Sequence, residues 1–436
     1  MSKKLFFIIA PVLILLFGAT VFRLGLPAKF MELTGLGRRI QGPISLEYWG
    51  LSENFDLSAI MFEDFKSIYP DASIKYDQKS YKSLSEYKEF ILSRFAENTA
   101  ADIVLVHATW IPEIIKYLVP SGNITADELS NSFFKTASDT CVTGGSVFCV
   151  PPLYDGLTLV YNKDAFNRES IKSPPKTWEE FKQDAERLTK RDLSGKIYFA
   201  GAAMGLSTNI SFAPDILGLM LAQSSVKIPE NLDEKAAADA LSFYTSFYTT
   251  SKVWDETEQD SIKEFSQGKV AMIFAPSWTL LDIITRSPLL NFGTAPVPQV
   301  PVEGSNGLTD KNWSSYWVFV VSRNSANPKV AWDFIKFATS REQELNQYKA
   351  QEKYRPFGQI YSLNELREDI SKNEILKPYI DGSETATTHL IADQSGNDPF
   401  SNSIKSAITR VAKGGSAGSA MAEVKSQIES LLAPKK

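Results

Sequence analysis

The sequence predicts an α/β protein built from two lobes. Its 436 residues exceed the size at which a single hydrophobic core usually stops growing, so two lobes with a cleft between them are expected. From Ile44 onward, strand-like runs alternate with amphipathic helical patterns, the order typical of a largely parallel sheet. Hydrophobic residues make up 43% of the chain and charged residues 22%, as in an ordinary globular protein.

The first part of this alternation places two helices among three strands. Strands are predicted at residues 44–49, 73–76 and 103–106, and the last of these is apolar on both faces. Five apolar residues mark the core face of the helix between the first two strands: Leu57, Ile60, Met61, Phe65 and Ile68. Pro70 should end that helix, because proline cannot continue it.

The remainder of the chain repeats the pattern. Thr177 and Glu180 have the spacing of a capping box, so a helix should begin there. Two further helices should lie on either side of the Gly- and Ser-rich stretch 414–418. Strands are predicted at 157–161, 270–274 and 318–321, and helices at 214–222, 235–249, 261–266 and 331–338.

The charge of the chain argues against a nucleic-acid partner. The formal net charge is -5 and the pI is about 5.4, whereas a surface that follows phosphates needs clustered Lys and Arg. The two histidines, His107 and His389, and the two cysteines show no spacing typical of a metal site. We therefore expect neither a metal nor a cofactor, and a neutral or polar small ligand fits better.

An apolar run near the start of the chain predicts contact with a membrane. Lys3 and Lys4 precede the uncharged stretch 5–22, and roughly 18 residues is near the lower limit for crossing a bilayer. The favoured interpretation is an uncleaved anchor over residues 1–23, followed by a juxtamembrane linker over 24–43. A cleaved signal segment is the main alternative, and a buried core helix is the third.

The two cysteines suggest an oxidising compartment. Cys141 and Cys149 flank a short hairpin pattern with Gly144 and Gly145 at its turn, so their side chains could face each other across two strands. A disulfide would form there only outside a reducing cytosol. The alternative is a pair of buried thiols in a cytosolic protein. Together with the apolar start, the cysteines favour export to the extracytoplasmic side.

Several segments in one order resemble a known family. They are Asp102-Ile103-Val104, Tyr161-Asn162-Lys163-Asp164 with Pro174-Pro175-Lys176-Thr177-Trp178-Glu179-Glu180, Phe265-Ser266-Gln267-Gly268-Lys269-Val270-Ala271-Met272 with Ser277-Trp278, and Ser322-Arg323-Asn324-Ser325-Ala326-Asn327-Pro328 before Ala331-Trp332-Asp333-Phe334-Ile335. In this order the segments resemble the extracellular solute-binding proteins of ABC transporters, the family that includes maltose-binding protein. The resemblance covers nearly everything from Ile44 to the end of the chain.

The resemblance implies a periplasmic-binding-protein-like fold whose two α/β lobes are joined by a hinge that the chain crosses several times. The crossings would lie near 154–156, 312–317 and 357–358. Lobe I would then comprise 44–153 and 315–357, and lobe II 157–311 and the C-terminal helices of 359–436. The family also implies a monomeric receptor that closes on a carbohydrate and delivers it to ABC permease subunits.

Sugars present apolar faces and hydroxyl edges, so a site needs aromatic planes together with carboxylates or amides. The candidates in loops and at crossings are Trp49, Glu53, Thr109, Trp110, Tyr154, Asp155, Trp278, Trp313, Tyr316, Trp317 and Asn402. Ordinary packing is the alternative for each tryptophan, because large aromatic residues are usually buried for stability alone. At the start of the last helices, Phe400-Ser401-Asn402 offers small polar groups where the family's maltose binder presents aromatics, which argues against maltose-like specificity.

Two other functions remain open from the sequence. A membrane-anchored glycan-acting enzyme would need two carboxylates at a suitable separation, and Glu53, Asp102 and Asp155 lie near the expected cleft. A sensor built on the same fold is the second alternative. The chain has no phosphate-binding Gly-Lys-Ser/Thr loop and no His-Glu-x-x-His pattern, so a non-catalytic receptor is favoured.

Overall fold

The computed structural model describes residues 44–51, 55–302, 304–392 and 398–433. The predicted anchor and linker, residues 1–23 and 24–43, lie outside these ranges. Within them, no helix combines the length and the apolarity needed to cross a bilayer.

The strands lie in two five-stranded sheets and two short two-stranded pairs within the described residues. In chain order they are β1 (Ile44–Gly50), β2 (Ala72–Gln78), β3 (Ile103–His107), β4 (Val142–Thr143), β5 (Ser146–Val147), β6 (Cys149–Val150), β7 (Thr158–Asn162), β8 (Lys190–Arg191), β9 (Ile197–Ala202), β10 (Val270–Ala275), β11 (Phe292–Ala295), β12 (Asn312–Trp313), β13 (Trp317–Val321) and β14 (Ala386–Thr387).

The helices cover both sheets and form the C-terminal end of the described chain. They are α1 (Phe55–Phe65), α2 (Leu84–Ala96), α3 (Ile111–Ile114), α4 (Ala126–Ser132), α5 (Lys135–Thr140), α6 (Lys163–Arg168), α7 (Trp178–Leu188), α8 (Ala213–Gln223), α9 (Lys235–Thr249), α10 (Ser261–Ser266), α11 (Thr279–Arg286), α12 (Pro328–Ala338), α13 (Arg341–Gln351), α14 (Arg367–Ser371), α15 (Lys377–Gly382), α16 (Pro399–Ala412) and α17 (Ala417–Leu432).

Lobe I is built on the sheet with the strand order β2-β1-β3-β13-β6. β1 pairs in parallel with β2 and β3, whereas β13 runs antiparallel to β3 and β6. The chain therefore returns to this lobe after building most of the other one. Every residue of β3 is buried, as expected for a strand covered on both faces.

Lobe II is built on the sheet with the strand order β11-β7-β10-β9-β8. β10 pairs in parallel with β9 and antiparallel with β7. The long helix α9 and the C-terminal helices α16 and α17 pack against one another in this lobe. The sequence prediction of α9 and α10 is confirmed in full, and the capping box of Thr177 and Glu180 opens α7 as expected.

The core face predicted for the first helix is partly wrong. Helix α1 ends at Phe65, so Ile68 lies in the following turn and is 50% exposed. Ile60 is 63% exposed, whereas Phe62 is buried and packs against Phe334 with 5.8 Å between the ring centres, so the core face of the helix is turned towards Phe62. Met61 is buried, as predicted.

Three crossing segments, residues 153–157, 312–316 and 357–361, lie side by side between the lobes. The amide of Leu157 donates to the carbonyl of Trp313 at 3.0 Å, and the amide of Tyr154 donates to the carbonyl of Ile360 at 3.0 Å. A Cβ atom on Gly156 would come within 2.5 Å of the Trp313 carbonyl oxygen. Glycine is therefore needed at position 156 for close approach of two backbones.

A disulfide joins Cys141 to Cys149, as the hairpin pattern suggested. Between them, Val142 pairs with Val147 in the β4–β5 hairpin. Gly144 and Gly145 occupy its turn with φ of 58° and 78°, the positive values that a two-residue hairpin turn of this type requires. The bond ties the end of α5 to β6 at the edge of the lobe I sheet.

Glu344 on α13 is a buried carboxyl in lobe I. Its side chain is 1% exposed, and neither of its oxygens has a hydrogen-bond partner among the described residues. Burial raises the pKa of Glu344 well above its usual value, because an unpaired charge is poorly solvated there. The folded state binds this proton more tightly than the unfolded state. Proton binding by Glu344 therefore stabilises the folded protein fully below the pKa of glutamate in the unfolded chain, and this contribution is lost as pH rises.

We expect Glu344→Gln to stabilise the protein at neutral pH, by roughly 1–2 kcal/mol, because glutamine carries no charge at any pH. The gain should shrink towards zero below the pKa of glutamate in the unfolded chain, about 4.3. Chemical unfolding at pH 4 and pH 7 measures this difference. Glu342→Gln, on the exposed side of the same helix, should change neither value. A Glu344→Gln effect that is the same at both pH values would contradict the assignment.

Candidate ligand-binding site

A cavity of about 350 Å³ lies where the crossing segments meet the two lobes. We call it the central cavity. Its lining residues are Leu51, Leu84, Leu105, Leu153, Tyr154, Asp155, Ser277, Trp278, Ser315, Tyr316, Trp317, Arg355 and Gln359. A second cavity of about 300 Å³, the side cavity, adjoins it and shares Leu84 and Trp278.

Both lobes and all three crossing segments position side chains in the central cavity. Leu105 comes from β3 and Trp317 from the start of β13, both in the lobe I sheet. Ser277 and Trp278 follow β10 of lobe II directly. The crossing segments contribute the remaining polar and aromatic groups, so rotation of one lobe against the other would change the shape of the cavity.

Aromatic rings form much of the cavity wall. Tyr154 and Tyr316 lie nearly parallel, with 6.4 Å between ring centres and 16° between planes. Trp278 is 45% exposed and makes an edge contact with Phe212 at 5.9 Å. An indole that is nearly half-exposed keeps aromatic surface on which an apolar part of a ligand can stack.

Asp155 connects the first crossing segment to the loop after β10. One carboxylate oxygen accepts hydrogen bonds from the amides of Gly156 and Ser277, both at 2.8 Å. The other accepts from the Ser277 hydroxyl at 2.7 Å and from the Trp278 amide at 3.2 Å. Burial raises the pKa of Asp155 to about 6, against the lowering effect of these hydrogen bonds. The carboxylate thereby holds the backbone of Trp278 in place.

Five of the residues predicted from the sequence lie together in the central cavity: Tyr154, Asp155, Trp278, Tyr316 and Trp317. Tyr316 is held by its hydroxyl group, which donates to the Thr136 carbonyl at 2.8 Å and lies 2.5 Å from the Thr140 hydroxyl.

Three predicted tryptophans lie outside the lining of the central cavity. Trp49 is buried against Phe90, with the Lys79 ammonium group 4.3 Å from its ring centre. Trp110 is buried beneath Trp317, which it meets edge-on at 5.5 Å. Trp313 is buried and donates its indole N–H to Asp215 at 3.0 Å. The surroundings of all three tryptophans are those of residues buried by ordinary packing, which was the alternative to ligand binding.

The remaining predicted residues are dispersed. Thr109 is buried next to His107, with 2.7 Å between its hydroxyl group and the imidazole Nδ1. Asn402 lies half-buried on α16, outside both cavities. Glu53 lies outside the described residues.

Sequence reasoning missed four polar residues of the central cavity: Ser277, Ser315, Arg355 and Gln359. Ser315 lies within the predicted second crossing, and Arg355 and Gln359 flank the predicted third one. Their nearness to the crossings was the available signal, because a ligand held between lobes must lie near the hinge.

A buried ion pair joins the lobes beside the cleft. The ammonium group of Lys88, on α2 of lobe I, lies 3.0 Å from a carboxylate oxygen of Asp398 and 3.1 Å from Glu113. Asp398 caps the N-terminus of α16 in lobe II, where it accepts from the amides of Phe400 and Ser401. Lys88 and Asp398 are both buried, so this pair links the lobes through groups that water hardly reaches.

Two α/β lobes, several crossings and a ligand-sized cavity at the crossings define a class of binding protein that holds a small molecule between its lobes. A family model described as bacterial extracellular solute-binding protein matches residues 56–345, more than half of the chain. The chain belongs to this family, as the sequence resemblance implied.

Individual relatives are distant in sequence. A binding protein of Brucella abortus (strain 2308) is 24% identical over 253 residues, which cover 56% of this chain and 59% of the relative. The chain thus spans less than two-thirds of that protein's length. The diacetylchitobiose binding protein of Streptomyces coelicolor is 23% identical over 390 residues, 87% of each chain. The GacH receptor of Streptomyces glaucescens superposes with a TM-score of 0.69 at 19% identity, covering 91% of this chain and all of that one. The likeness to the GacH receptor structure establishes the fold.

Proposed function

We propose that this chain is the extracytoplasmic receptor of an ABC importer, that it binds a sugar or oligosaccharide in the central cavity, and that it delivers the sugar to permease subunits. Membership of the solute-binding family supports a receptor. The diacetylchitobiose binding protein of Streptomyces coelicolor and the GacH receptor, which was crystallised with acarbose, support a carbohydrate as the ligand.

The observation that carries the proposal is the half-exposed indole of Trp278 among polar groups. The exposed part of this indole offers aromatic surface to the apolar side of a sugar ring. Ser277, Ser315 and Gln359 lie in the same cavity, and hydroxyl and amide groups can both donate and accept hydrogen bonds with sugar hydroxyls. The side cavity continues past the same indole, so a ligand longer than one sugar ring has room to extend.

A glycan-acting enzyme is the alternative, and the carboxylates favour it less. Asp155 is the acidic residue that lines the central cavity within the described chain, and its oxygens already accept four hydrogen bonds. Asp102 accepts from the Glu47 amide at 2.8 Å and from the Ser325 hydroxyl, so it organises the start of β3. A glycosidase needs two carboxyl groups across one bond, and this arrangement supports a receptor better.

An extracytoplasmic location agrees with the family and with the Cys141–Cys149 disulfide. We propose that the apolar stretch 5–22 tethers the receptor to the membrane, on the strength of its length and lack of charge. The receptor would then search for ligand close to its permease instead of diffusing freely.

We expect Trp278→Ala to weaken sugar binding by more than about tenfold, the scale of losing an aromatic stacking anchor. The ligand is first found by a thermal-shift screen of the purified full-length chain against mono- and oligosaccharides, polyols, amino acids and peptides. Binding to the native state must raise the melting temperature. Isothermal titration calorimetry then compares the variant with the wild type.

Tyr198→Ala is the matched control, because Tyr198 is an exposed aromatic residue on β9 outside both cavities. It should leave the affinity unchanged. If no carbohydrate stabilises the protein, the proposed function is wrong. If the affinity of a folded Trp278→Ala variant equals that of the wild type, the sugar does not stack on Trp278.

A further inference from the structure

Arg355 is a cation in the central cavity whose guanidinium group contacts no partner among the residues that the structure describes. It lies in the turn between α13 and the third crossing segment, where its amide donates to the Gln351 carbonyl at 2.9 Å and its carbonyl accepts from Gly358 at 2.9 Å. The φ of Gly358 is 79°, and a Cβ atom there would come within 2.4 Å of the Tyr348 ring. This turn therefore has a defined backbone that fixes where the Arg355 side chain begins.

The surroundings of Arg355 differ from those of Arg367, another half-buried arginine. Within the described residues, its guanidinium group has no hydrogen bond and no ion pair, although the side chain is half-buried. Arg367 is also half-buried, but it donates to the Ile380 carbonyl at 3.0 Å, lies 3.4 Å from Glu384 and packs on the ring of Phe134. A half-buried guanidinium with unused donors is costly unless another group satisfies it.

Asp155 does not form an ion pair with the guanidinium group of Arg355. Its two oxygens are occupied by donors from Gly156, Ser277 and Trp278, and no contact between Asp155 and Arg355 lies within ion-pair distance in the described structure. Burial lowers the pKa of Arg355, and the nearby charge of Asp155 offsets only part of this lowering. Since arginine stays protonated in proteins, its guanidinium group keeps its charge and its N–H donors for a group that enters the cavity.

We propose that the ligand of this receptor is an acidic sugar, whose oxyanion is bound by Arg355 while an apolar ring face lies on Trp278. The inference rests on the proposed function and specifies its substrate class. A planar guanidinium pairs with a carboxylate or a sulfate through two parallel hydrogen bonds, and Gln359 is placed in the same cavity to bind neighbouring hydroxyls. Uronic acids and sulfated sugars both carry such a group.

The test uses the purified full-length chain and calorimetric titration with matched sugars. The probes are oligosaccharides of glucuronate, galacturonate and mannuronate, their neutral parent oligosaccharides, and sulfated forms of the same parents. We expect at least one acidic sugar to bind ten or more times as tightly as its neutral parent, and more weakly at 500 mM than at 50 mM NaCl. Whether the carboxylated or the sulfated form binds more tightly identifies the oxyanion.

Variants of Arg355 separate charge recognition from a general loss of structure. Arg355→Gln should weaken binding of the acidic sugar at least tenfold and leave binding of the neutral parent within threefold. Arg355→Lys should retain part of the preference, because it keeps the charge but loses the paired donors. The control is Arg323→Gln, which removes an exposed arginine beyond the opposite end of β13 and should change neither affinity.

Three results would overturn the inference. Equal affinity for acidic and neutral sugars removes it and leaves the proposed function intact. An equal loss for both sugars in Arg355→Gln assigns Arg355 to structure and not to charge recognition. Failure of every sugar to bind overturns the inference and the proposed function together.

Discussion

Replacing Lys88 with methionine should open the cleft of the ligand-free protein. The substitution removes the ammonium group beside the buried Asp398 carboxylate, and removing one member of a buried ion pair typically costs about 3–5 kcal/mol. The lobes can reduce this cost by separating, because water then reaches Asp398. We therefore expect a larger radius of gyration in small-angle X-ray scattering and at least tenfold weaker ligand binding, since closing must bury the carboxylate again.

A double-mutant cycle isolates the interaction between the two residues. Asp398→Asn keeps a side chain that caps helices well but removes the charge, so the Lys88→Met/Asp398→Asn pair should recover part of the closed population. Lys135→Met is the control, because Lys135 forms an exposed ion pair with Asp139 inside lobe I. Unchanged dimensions and affinity in Lys88→Met would show that the pair does not hold the lobes together.

Loss of the disulfide should have the second large effect. A variant with Cys141→Ser and Cys149→Ser is expected to unfold with a free energy about 2.5 kcal/mol lower, the loop-closure entropy for a short cross-linked segment. Denaturant unfolding measures the change. A reducing agent should destabilise the wild type by a similar amount and leave the double variant unaffected. Equal stability of the oxidised wild type and the variant would refute the expectation.

Much of the fold was predictable because its signals are local. The runs that became β3 and β10 are continuously apolar, and the patterns of α9 and α10 are bounded by polar residues, so their bounds follow from short stretches of chain. The hairpin between the cysteines was equally local, since two glycines supply its turn. The core face of α1 was harder, because apolar residues occur on more than one side of this helix, and a distant contact, between Phe62 and Phe334, accompanies the side that is buried.

The candidate site was less predictable because it depends on distant contacts. From the sequence, Trp110 and Trp317 are both expected at the cleft. In the fold, Trp110 is buried beneath Trp317. Arg355 lies in a turn that has no periodic pattern, so only the neighbouring crossing pointed towards it. Lys88 and Asp398 are 310 positions apart, and no local signal connects them. The lobe boundaries given from the resemblance stay predictions.

The carboxylate of Asp155 connects the hinge to the aromatic surface of the cavity. It belongs to the first crossing segment, and it accepts hydrogen bonds from the amides of Ser277 and Trp278 and from the Ser277 hydroxyl, all in lobe II. A movement of the first crossing segment should therefore displace the backbone of Trp278 directly, through these hydrogen bonds. Conversely, a ligand that displaces this indole should also move the first crossing segment. Occupancy of the cavity and the angle between the lobes would then be coupled through the Asp155 side chain.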